Sequence, residues 1–311
     1  MKPVILGARG QVGTTLAREL RVRGDSPLIS SRTPAAAELL VNFEDPATIA
    51  SFFRVLESRL QGEAATIFLT GAFTHVDGCE LDPKKCRTIN RDGPLRVAEE
   101  CARAGHHLVF FSSEYVFGAA EYEGGAVGPF AEDDPVAPAS AYGRAKAEAE
   151  AGIQEILGGK ATVLRTTVVY SWLPEDKNFA MQLRRFLETK LAGRSPEGVP
   201  EKFRIPTDQI STPTYAPALA EATLELARRR LPGIFHVVGA DLLARSEFAE
   251  RLIRLFGLPM EKCREHLEFL PTSALAQPAR RPLTAGLRTD KLRELGIRVW
   301  TLEESFREYR A

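Results

Sequence analysis

The chain has 311 residues, of which 44% are hydrophobic and 26% are charged, so it can bury one large core or two modest ones. Lys and Arg together number 41, as do Asp and Glu, and this balance argues against a general attraction to nucleic acid or to an anionic membrane. No apolar run approaches the roughly 20 residues that span a bilayer, and the N-terminus enters a strand pattern without a signal peptide, so we expect no membrane span and a cytoplasmic location.

Cysteine and histidine form no recognisable metal or disulfide pattern. Cys79, Cys86, Cys101 and Cys263 are too irregularly spaced for a disulfide framework or for paired zinc ligands, and we expect free thiols. The five histidines are expected to be structural. We therefore predict no metal site.

The first predicted element is a strand that leads into a glycine-rich turn and then a helix, in "VILGARGQVGTTLAREL". Glycines at this junction allow a tight turn and let a pyrophosphate approach the amides at the helix N-terminus. Glycines kept only for strand-to-helix packing are the alternative, and the motif alone does not decide. The residues of this turn that we predict to bind a dinucleotide are Gly7, Arg9, Gly10, Gln11, Val12 and Gly13.

The ends of the next two strands suggest which dinucleotide is bound. A fold that prefers NAD usually carries an acid after the second strand. Here the strand reads "PLISSRT", and Ser31 and Arg32 offer a hydroxyl and a cation to a 2′-phosphate. NADP(H) is therefore predicted, with NAD(H) as the alternative, unless Arg32 is only a solvated surface residue. Gly71 and Ala72, at the end of "TIFLTGA", are expected beside the cofactor.

Short apolar runs and amphipathic stretches alternate through the first half of the chain. This order predicts an α/β fold with a doubly wound parallel (Rossmann) sheet covered by helices on both faces. The pattern loosens after about residue 170. We assign residues 1–168, with about 209–237, to a dinucleotide-binding domain, and residues 169–208 and 238–311 to a smaller C-terminal α/β substrate-binding part.

A tyrosine and a lysine lie four residues apart in "SAYGRAKAE", so on a helix Tyr142 and Lys146 share one face. A free phenol loses its proton near pH 10, and a neighbouring ammonium, with a nicotinamide's positive charge, favours the phenolate. We therefore expect the pKa of Tyr142 to be lowered, so that it can give a proton to a carbonyl oxygen as hydride reaches the carbon. Taken alone, such a pair is common on helix surfaces.

The order of these parts adds weight to the pair. A glycine turn, then "VFFSSEYVFG" ending a strand, then "YGRAK" opening a helix resembles the extended short-chain dehydrogenases/reductases. The resemblance implies that Ser113 orients the substrate oxygen, with Tyr142 as the acid and Lys146 as its partner. Ser112 is the rival for the role of Ser113, whose hydroxyl could instead bond only to the backbone.

Finer motifs narrow the resemblance to the dTDP-4-dehydrorhamnose reductase group over nearly the whole chain. They are "GARGQVG", "THVDGCELDPKKCRTIN", "SSEYVFG", "VLRTTVVY", "KNFA", "DQISTPTYAPALA", "GIFHVVG" and "RRPLTAGLRTDKLRELG". This resemblance implies reduction by NAD(P)H of the 4-keto group of a dTDP-linked 6-deoxysugar, with Asn90 supporting the site. The predicted substrate residues are Thr74, Val76, Glu114, Val168, Asn178 and Arg281, the last as a ligand of the diphosphate.

Three positions depart from the group's pattern. Its usual threonine is Ser113, its usual aspartate beside that hydroxyl is the longer Glu114, and its usual tryptophan before the V-Y pair is Val168. The lost aromatic surface leaves the exact sugar open, and Trp172 is expected to replace the missing ring in part.

Two other functions remain open at this stage. The regulatory subunit of methionine adenosyltransferase resembles the same reductases, binds NADP and docks on another protein, and "FRIPTDQ" and "FGLP" are similar to it. A nucleotide-sugar epimerase or dehydratase would need further acid and base groups, of which Glu114 is the one candidate. The expected partner is a nucleotide-sugar, with a homodimer as the candidate assembly.

Overall fold

The computed structural model of this chain describes residues 1–33, 39–173 and 175–310. Parallel pairing dominates among its strands. In chain order the strands are β1 (Pro3–Leu6), β2 (Leu28–Ser31), β3 (Leu39–Leu40), β4 (Thr66–Leu69), β5 (His107–Ser113), β6 (Thr162–Thr166), β7 (Val169–Tyr170), β8 (Phe203–Pro206), β9 (Ile210–Ser211), β10 (Thr214–Tyr215), β11 (Gly233–His236), β12 (Leu243–Ala244) and β13 (Leu267–Leu270).

Seven of these strands form one sheet in the order β11-β6-β5-β4-β1-β2-β3, and every pairing in it is parallel. The order reverses between β1 and β4, which leaves a crevice at the carboxyl ends of the two strands. The predicted doubly wound parallel sheet is confirmed.

Helices cover both faces of the sheet. The α-helices of the described residues are α1 (Gln11–Val22), α2 (Pro46–Leu60), α3 (Val76–Leu81), α4 (Pro83–Arg87), α5 (Gly93–Ala104), α6 (Ala141–Ile156), α7 (Phe179–Leu191), α8 (Ala216–Arg228), α9 (Arg245–Leu255), α10 (Met260–Arg264), α11 (Asp290–Glu294) and α12 (Leu302–Arg310). Side chains of a strand point alternately to the two faces, so Val4 and Leu6 pack against α2, α5 and α6, while Ile5 packs against α1 and α8. None of the described helices combines the length and apolar character needed to cross a membrane.

A second core lies towards the C-terminus. It joins β7 and α7 to α9, α10 and α12, and Trp172 is buried at its centre. The short parallel pair of β8 and β13 packs beside it. Leu292 and Ile297, by contrast, belong to the core of the large sheet although they follow residue 238. The boundaries assigned to the two parts of the chain therefore stay a proposal.

Candidate active site

A cavity of about 930 Å³ opens at the carboxyl ends of the central strands, where the strand order reverses. The sequence-predicted residues that line it are Gly7, Arg9, Gly10, Gln11, Val12, Ser31, Arg32, Gly71, Ala72, Thr74, Ser113, Tyr142, Lys146 and Val168. Ser112, the rival of Ser113, lines it as well. The predicted cofactor residues and the predicted catalytic residues thus share one cavity.

The glycine turn forms one end of this cavity and is tightly packed from behind. Gly7 has a φ of +94°, and a Cβ placed there would lie 2.5 Å from the Cα of Gly71 on the neighbouring strand end. Gly13, on α1, packs directly behind the turn, because a Cβ there would lie 2.5 Å from the carbonyl oxygen of Gly7. Gly13 does not line the cavity itself. Both positions therefore require glycine if the turn is to bring its backbone amides to the cavity wall.

Several polar atoms in the cavity wall lack a protein partner. Among the described residues, the amide nitrogen of Gln11, the hydroxyl of Ser112 and the hydroxyl of Thr166 are buried without a hydrogen bond. Buried polar groups are normally paired, so unpaired groups in a cavity wall indicate a polar ligand. Together with the glycine turn at one end, these atoms fit a dinucleotide lying along the strand ends.

The predicted catalytic trio comes from two adjacent elements. Ser113 is the last residue of β5, and Tyr142 and Lys146 lie one turn apart on α6, whose first turn is capped by the hydroxyl of Ser140. The hydroxyl oxygen of Ser113 accepts from the backbone amide of Tyr115 at 3.3 Å. The ammonium of Lys146 donates to the carbonyl oxygen of Phe111, 2.8 Å away, inside a buried wall of the cavity. This arrangement places a hydroxyl, a phenol and an ammonium side by side, the set that the motif predicts.

The protonation state of Tyr142 differs from the sequence-based expectation. Burial raises the pKa of this phenol above its ordinary value, the neighbouring Cys79 and Tyr115 raise it further, and the nearby hydroxyl of Ser113 opposes them. The prediction that Lys146 lowers the pKa of Tyr142 is therefore wrong for the protein alone, because desolvation outweighs the charge of the lysine. The phenol keeps its proton at neutral pH, and this is the form that can donate.

A second buried acid lies next to the trio. Burial raises the pKa of Glu114 to about 7, while its bond from the Thr167 hydroxyl and the charge of Arg245 oppose the rise. The second carboxylate oxygen of Glu114 has no partner among the described residues. Arg245 lies over the ring of Phe179, 5.0 Å from its centroid, and was not found from the sequence. Glu114 and Arg245 therefore interact through their charges, and neither is among the described residues that line the cavity.

Arg281 makes an ion pair within the protein. Its guanidinium donates two bonds to the carboxylate of Asp77, at 2.9 and 2.7 Å, and this contact lowers the pKa of Asp77. Asp77 also accepts a bond from the backbone amide of Ala279. The guanidinium of Arg281, which the sequence predicts to bind a diphosphate, thus joins the C-terminal segment to the start of α3. Binding of a diphosphate by the same guanidinium stays a proposal.

Comparison with known proteins agrees with this geometry. The model of the RmlD substrate binding domain family matches residues 1–310. The chain belongs to this family. Spore coat polysaccharide biosynthesis protein SpsK of Bacillus subtilis is 30% identical, with 99% of this chain and 96% of that protein covered. The dTDP-4-dehydrorhamnose reductase of Sinorhizobium fredii is 29% identical, with 99% of this chain and 96% of that protein covered. The family resemblance predicted from the motifs is confirmed.

A solved structure extends the likeness to three dimensions. The crystal structure of a dTDP-4-dehydrorhamnose reductase from Clostridium acetobutylicum superimposes with a TM-score of 0.81 at 25% identity, covering 99% of this chain and 98% of that one. The RmlD fold of this chain therefore runs through both the large sheet and the C-terminal core.

Three residues predicted from the resemblance have structural roles in this RmlD family member. Asn178 caps α7 by accepting from the amide of Met181 and donates to Ser171, and Val76 packs beside the cysteines of α3 and α4. Trp172 is wrong as a replacement for the missing ring, because it is 1% exposed in the C-terminal core and donates to the carbonyl oxygen of Ser305. Its surroundings are aromatic residues of that core, and these decide its position.

Asn90 supports the cavity wall as the resemblance implies. Its amide oxygen accepts from the backbone amide of Phe73 at 2.9 Å, and its nitrogen donates to the carbonyl oxygen of Phe73 at 3.0 Å. His75, in the segment from Thr74 to Asp77 that the resemblance places beside cofactor and substrate, also lines the cavity. Sequence reasoning missed the other cavity-lining residues, which are Thr33, Val41, Asn42, Phe43, Glu44, Thr70, Phe73, Asp82, Lys85, Ile89, Phe111, Thr166, Thr167 and Val169. Most of them follow strands, and strand ends of a parallel sheet are the one signal that could have found them.

Proposed function

We propose that this protein reduces the 4-keto group of a nucleotide-linked deoxysugar with NADPH. The single observation that carries the proposal is that Ser113, Tyr142 and Lys146 line the same cavity as the glycine turn. A dinucleotide along the strand ends would bring its nicotinamide to these side chains. Family membership and the likeness to dTDP-4-dehydrorhamnose reductases support the same reaction.

The chemistry follows from the protonation states of the site. NADPH supplies the hydride when it is bound. Tyr142, protonated at neutral pH, hydrogen-bonds the ketone oxygen and gives it a proton as negative charge develops there. The hydroxyl of Ser113 holds the same oxygen and so stabilises that charge. Lys146 keeps a positive charge behind the phenol, which favours proton loss from Tyr142 in the transition state.

NADP(H) is the cofactor that the cavity favours. Arg32 is exposed at the end of β2 and lines the cavity with Ser31 and Thr33. A guanidinium and hydroxyls at this place suit a 2′-phosphate, whereas an acid there would accept from a ribose hydroxyl. Arg9, in the glycine turn, adds a second cation to this end of the cavity.

The substrate half of the cleft suits a sugar carried by a diphosphate. Thr74 and Val168 line the cavity next to the catalytic trio. Val168 has a φ of +42°, a strained conformation for a β-branched residue, and such strain is concentrated at functional sites. We propose that these residues contact the sugar, that Arg281 exchanges Asp77 for the diphosphate, and that the protein acts as a cytoplasmic homodimer.

The decisive variant is Tyr142→Phe. Loss of the acid should lower kcat for NADPH oxidation with a 4-keto sugar nucleotide by about 10²- to 10⁴-fold, the usual contribution of general acid catalysis. Affinity for NADPH, measured by fluorescence titration, should stay close to that of the unmodified protein.

Tyr170→Phe is the matched control. Tyr170 is also buried, and its hydroxyl bonds to Ser305 at 2.9 Å in the C-terminal core. This variant should lose about 1 kcal/mol of stability and keep its turnover. Normal turnover in Tyr142→Phe would remove Tyr142 from the mechanism. Tight NADPH binding without turnover by the unmodified protein, over a panel of dTDP-, UDP- and GDP-linked 4-keto sugars, would favour a binding subunit instead.

A further inference from the structure

Two cysteines meet directly behind the catalytic tyrosine. Cys79 lies on α3 and Cys86 on α4, the side-chain nitrogen of Asn90 lies within 3.7 Å of both sulfurs, and the Cys79 thiol donates to the carbonyl oxygen of Phe73 at 3.3 Å. Both side chains are fully buried and pack against Tyr142 and Ala145 of α6. The irregular spacing of the cysteines in the sequence concealed this pair, because α3 and α4 are short and meet at a sharp turn at Asp82.

The side chain of Asn90 connects the pair to the cavity wall. Its amide nitrogen lies 3.4 Å from the sulfur of Cys86 and 3.7 Å from the sulfur of Cys79. The same amide group binds both backbone groups of Phe73, whose ring lines the cavity. A change at the two sulfurs therefore reaches Tyr142 by direct packing and Phe73 through Asn90.

The surroundings favour a thiolate at one member of the pair. The neighbouring Cys79 thiol lowers the pKa of Cys86 to about 7, the bond from Asn90 and the charge of Lys146 lower it further, and burial opposes them. The neighbouring Cys86 raises the pKa of Cys79, and burial raises it as well. A nucleophilic sulfur and a protonated neighbour are the two components that disulfide formation needs.

The geometry points to a dithiol–disulfide site formed by Cys79 and Cys86, whose oxidation by a peroxide displaces Tyr142 and Phe73 and slows reduction of the substrate. The Cys86 thiolate attacks a peroxide oxygen, the O–O bond breaks, and hydroxide leaves and takes a proton to become water. The sulfur of Cys79 then attacks the sulfenic acid, the S–S bond forms, the S–O bond breaks, and a second water leaves with the proton of Cys79. Two thiols are oxidised and one hydrogen peroxide is reduced to two waters.

Access to the pair is through the cavity wall. Phe73 and Tyr142 both line the cavity and both contact the thiols, so one layer of side chains separates the sulfurs from the cavity. We expect NADPH, bound along this wall, to slow the oxidation.

The chain carries a convenient reporter of the bond. Trypsin cleaves after Lys84 and Lys85, so Cys79 falls on residues 60–84 and Cys86 on residues 86–87 or 85–87, and only a disulfide keeps these peptides together. Reduced full-length protein is treated with hydrogen peroxide, its remaining thiols are alkylated in denaturant, and the digest is analysed by mass spectrometry with and without a thiol reductant. The joined peptide should form in the unmodified protein and in Cys101→Ser, and should be absent from Cys79→Ser and Cys86→Ser.

Cys101→Ser is the matched control because Cys101 is equally buried but packs in the core of the large sheet. The effect on catalysis rests on the proposed function and is measured separately, as NADPH oxidation relative to each protein's own reduced form. Oxidation should lower turnover by roughly 10- to 100-fold in the unmodified protein and in Cys101→Ser, reversibly with reductant, and should spare the two other variants.

Absence of the joined peptide from folded, peroxide-treated protein would overturn the site itself, whatever the enzyme reduces. A joined peptide together with unchanged turnover would overturn its effect on catalysis. Failure of the proposed function would appear differently, as a lack of turnover in the reduced protein.

Discussion

Lys146 carries its charge in surroundings that disfavour a charge. Burial lowers the pKa of this lysine to about 8, and Glu150, one turn further along α6, opposes the shift. Glu150 is itself buried and accepts three hydrogen bonds from Arg165 of β6, at 3.1, 3.2 and 2.8 Å. Glu150 therefore balances two cations, and the charge of Lys146 depends on it.

The groups that face Lys146 from other elements contribute less. The carbonyl oxygen of Phe111 accepts from its ammonium, and the ring of Phe110 lies 4.6 Å from it, both on β5. Cys79 and Cys86 face it from α3 and α4 and raise its pKa slightly. His236 of β11 lies 3.5 Å from Arg165, and burial and that cation lower the pKa of this imidazole to about 3, so it is neutral at physiological pH.

Glu150→Gln should move the alkaline limb of the pH profile of kcat/KM. The ammonium is present below pH 8 and is lost above it, so activity should fall as pH rises through about 8. Without Glu150 the unpaired charge of Arg165 lowers the pKa of Lys146 further, and the limb should shift to lower pH by about one unit or more. The measurement is the pH dependence of NADPH oxidation.

Two companion variants make this test specific. Glu155→Gln changes an exposed carboxylate of the same helix and should leave the limb in place. Adding Arg165→Met to Glu150→Gln removes the unpaired cation and should move the limb back towards the original pH. An unmoved limb in Glu150→Gln would show that Glu150 does not control the charge of Lys146.

The pKa of Lys146 also bears on stability. Because this pKa is lower in the folded protein than the ordinary value of 10.5, the unfolded chain binds more protons between about pH 8 and 10.5. Burial of the ammonium therefore destabilises the fold fully below pH 8, and the penalty is relieved as pH rises through this interval.

At the scale of elements, contacts of three side chains, Arg281, Glu121 and Tyr122, hold the segment around residues 281–284 in place. Arg281 binds Asp77 at the start of α3, and Glu121 accepts from the backbone amide of Thr284 at 2.8 Å. Tyr122 adds a bond of 2.6 Å to the carbonyl oxygen of Arg281. These contacts join residues far apart in the chain, so the segment is positioned by tertiary interactions and not by a helix or strand of its own.

Asp77→Asn should loosen this segment. The variant loses charge-assisted hydrogen bonds from Arg281, so stability should fall by about 1–3 kcal/mol and KM for the sugar nucleotide should rise with little change in NADPH affinity. The pKa of Asp77 is lowered mainly by the hydrogen bond from Arg281, so the ion pair stabilises the fold above pH 3.8 and is lost as pH falls through the folded-state pKa. Chemical denaturation and steady-state kinetics measure the two effects.

Glu268→Gln is the control for Asp77→Asn. Glu268 pairs with Arg204 at 3.0 Å on the surface, where both side chains are exposed, and such pairs contribute little. Equal stability and equal KM in the two variants would show that the ion pair of Asp77 with Arg281 does not hold this segment in place.

Elements of the large sheet could be predicted from the sequence because their apolar runs are continuous and bounded by turns. β1, β4, β5 and β6 are buried on both faces and read as strands without further information. The pairs β7 with β10 and β9 with β12 could not be predicted, since each has two residues in each strand and depends on tertiary packing. Local pattern carries no signal at that length.

At the scale of the whole molecule, the sequence located the cavity but not its far wall. The trio and the glycine turn follow short motifs, and strand order brings them together. Phe43 belongs to no motif, and Lys85 and Ile89 lie in the motif that begins at Thr74 but carry no predicted role there. These residues reach the cavity from the segment before α2, from α4 and from the segment between α4 and α5. The buried charges of Glu150 and Arg165 are likewise distant in sequence, and no local pattern links them. No local pattern shows how deeply Tyr142 is buried, so the sequence predicts a lowered pKa for this phenol where burial raises it.

Cofactor binding should stabilise the whole molecule, because the cavity is built from the carboxyl ends of several strands. A ligand at 100 times its Kd adds about 2.7 kcal/mol to the free energy of unfolding. NADPH should therefore raise Tm more than NADH at equal concentration, since Arg32 can bind the 2′-phosphate.

Arg32→Asp should shrink or reverse this difference, because an acid repels the phosphate and accepts from the ribose hydroxyl of NADH. Arg96→Asp, an exposed change on α5 outside the cavity lining, should preserve the difference. Equal shifts by the two cofactors in the unmodified protein, or an unchanged difference in Arg32→Asp, would exclude Arg32 as the residue that selects NADPH.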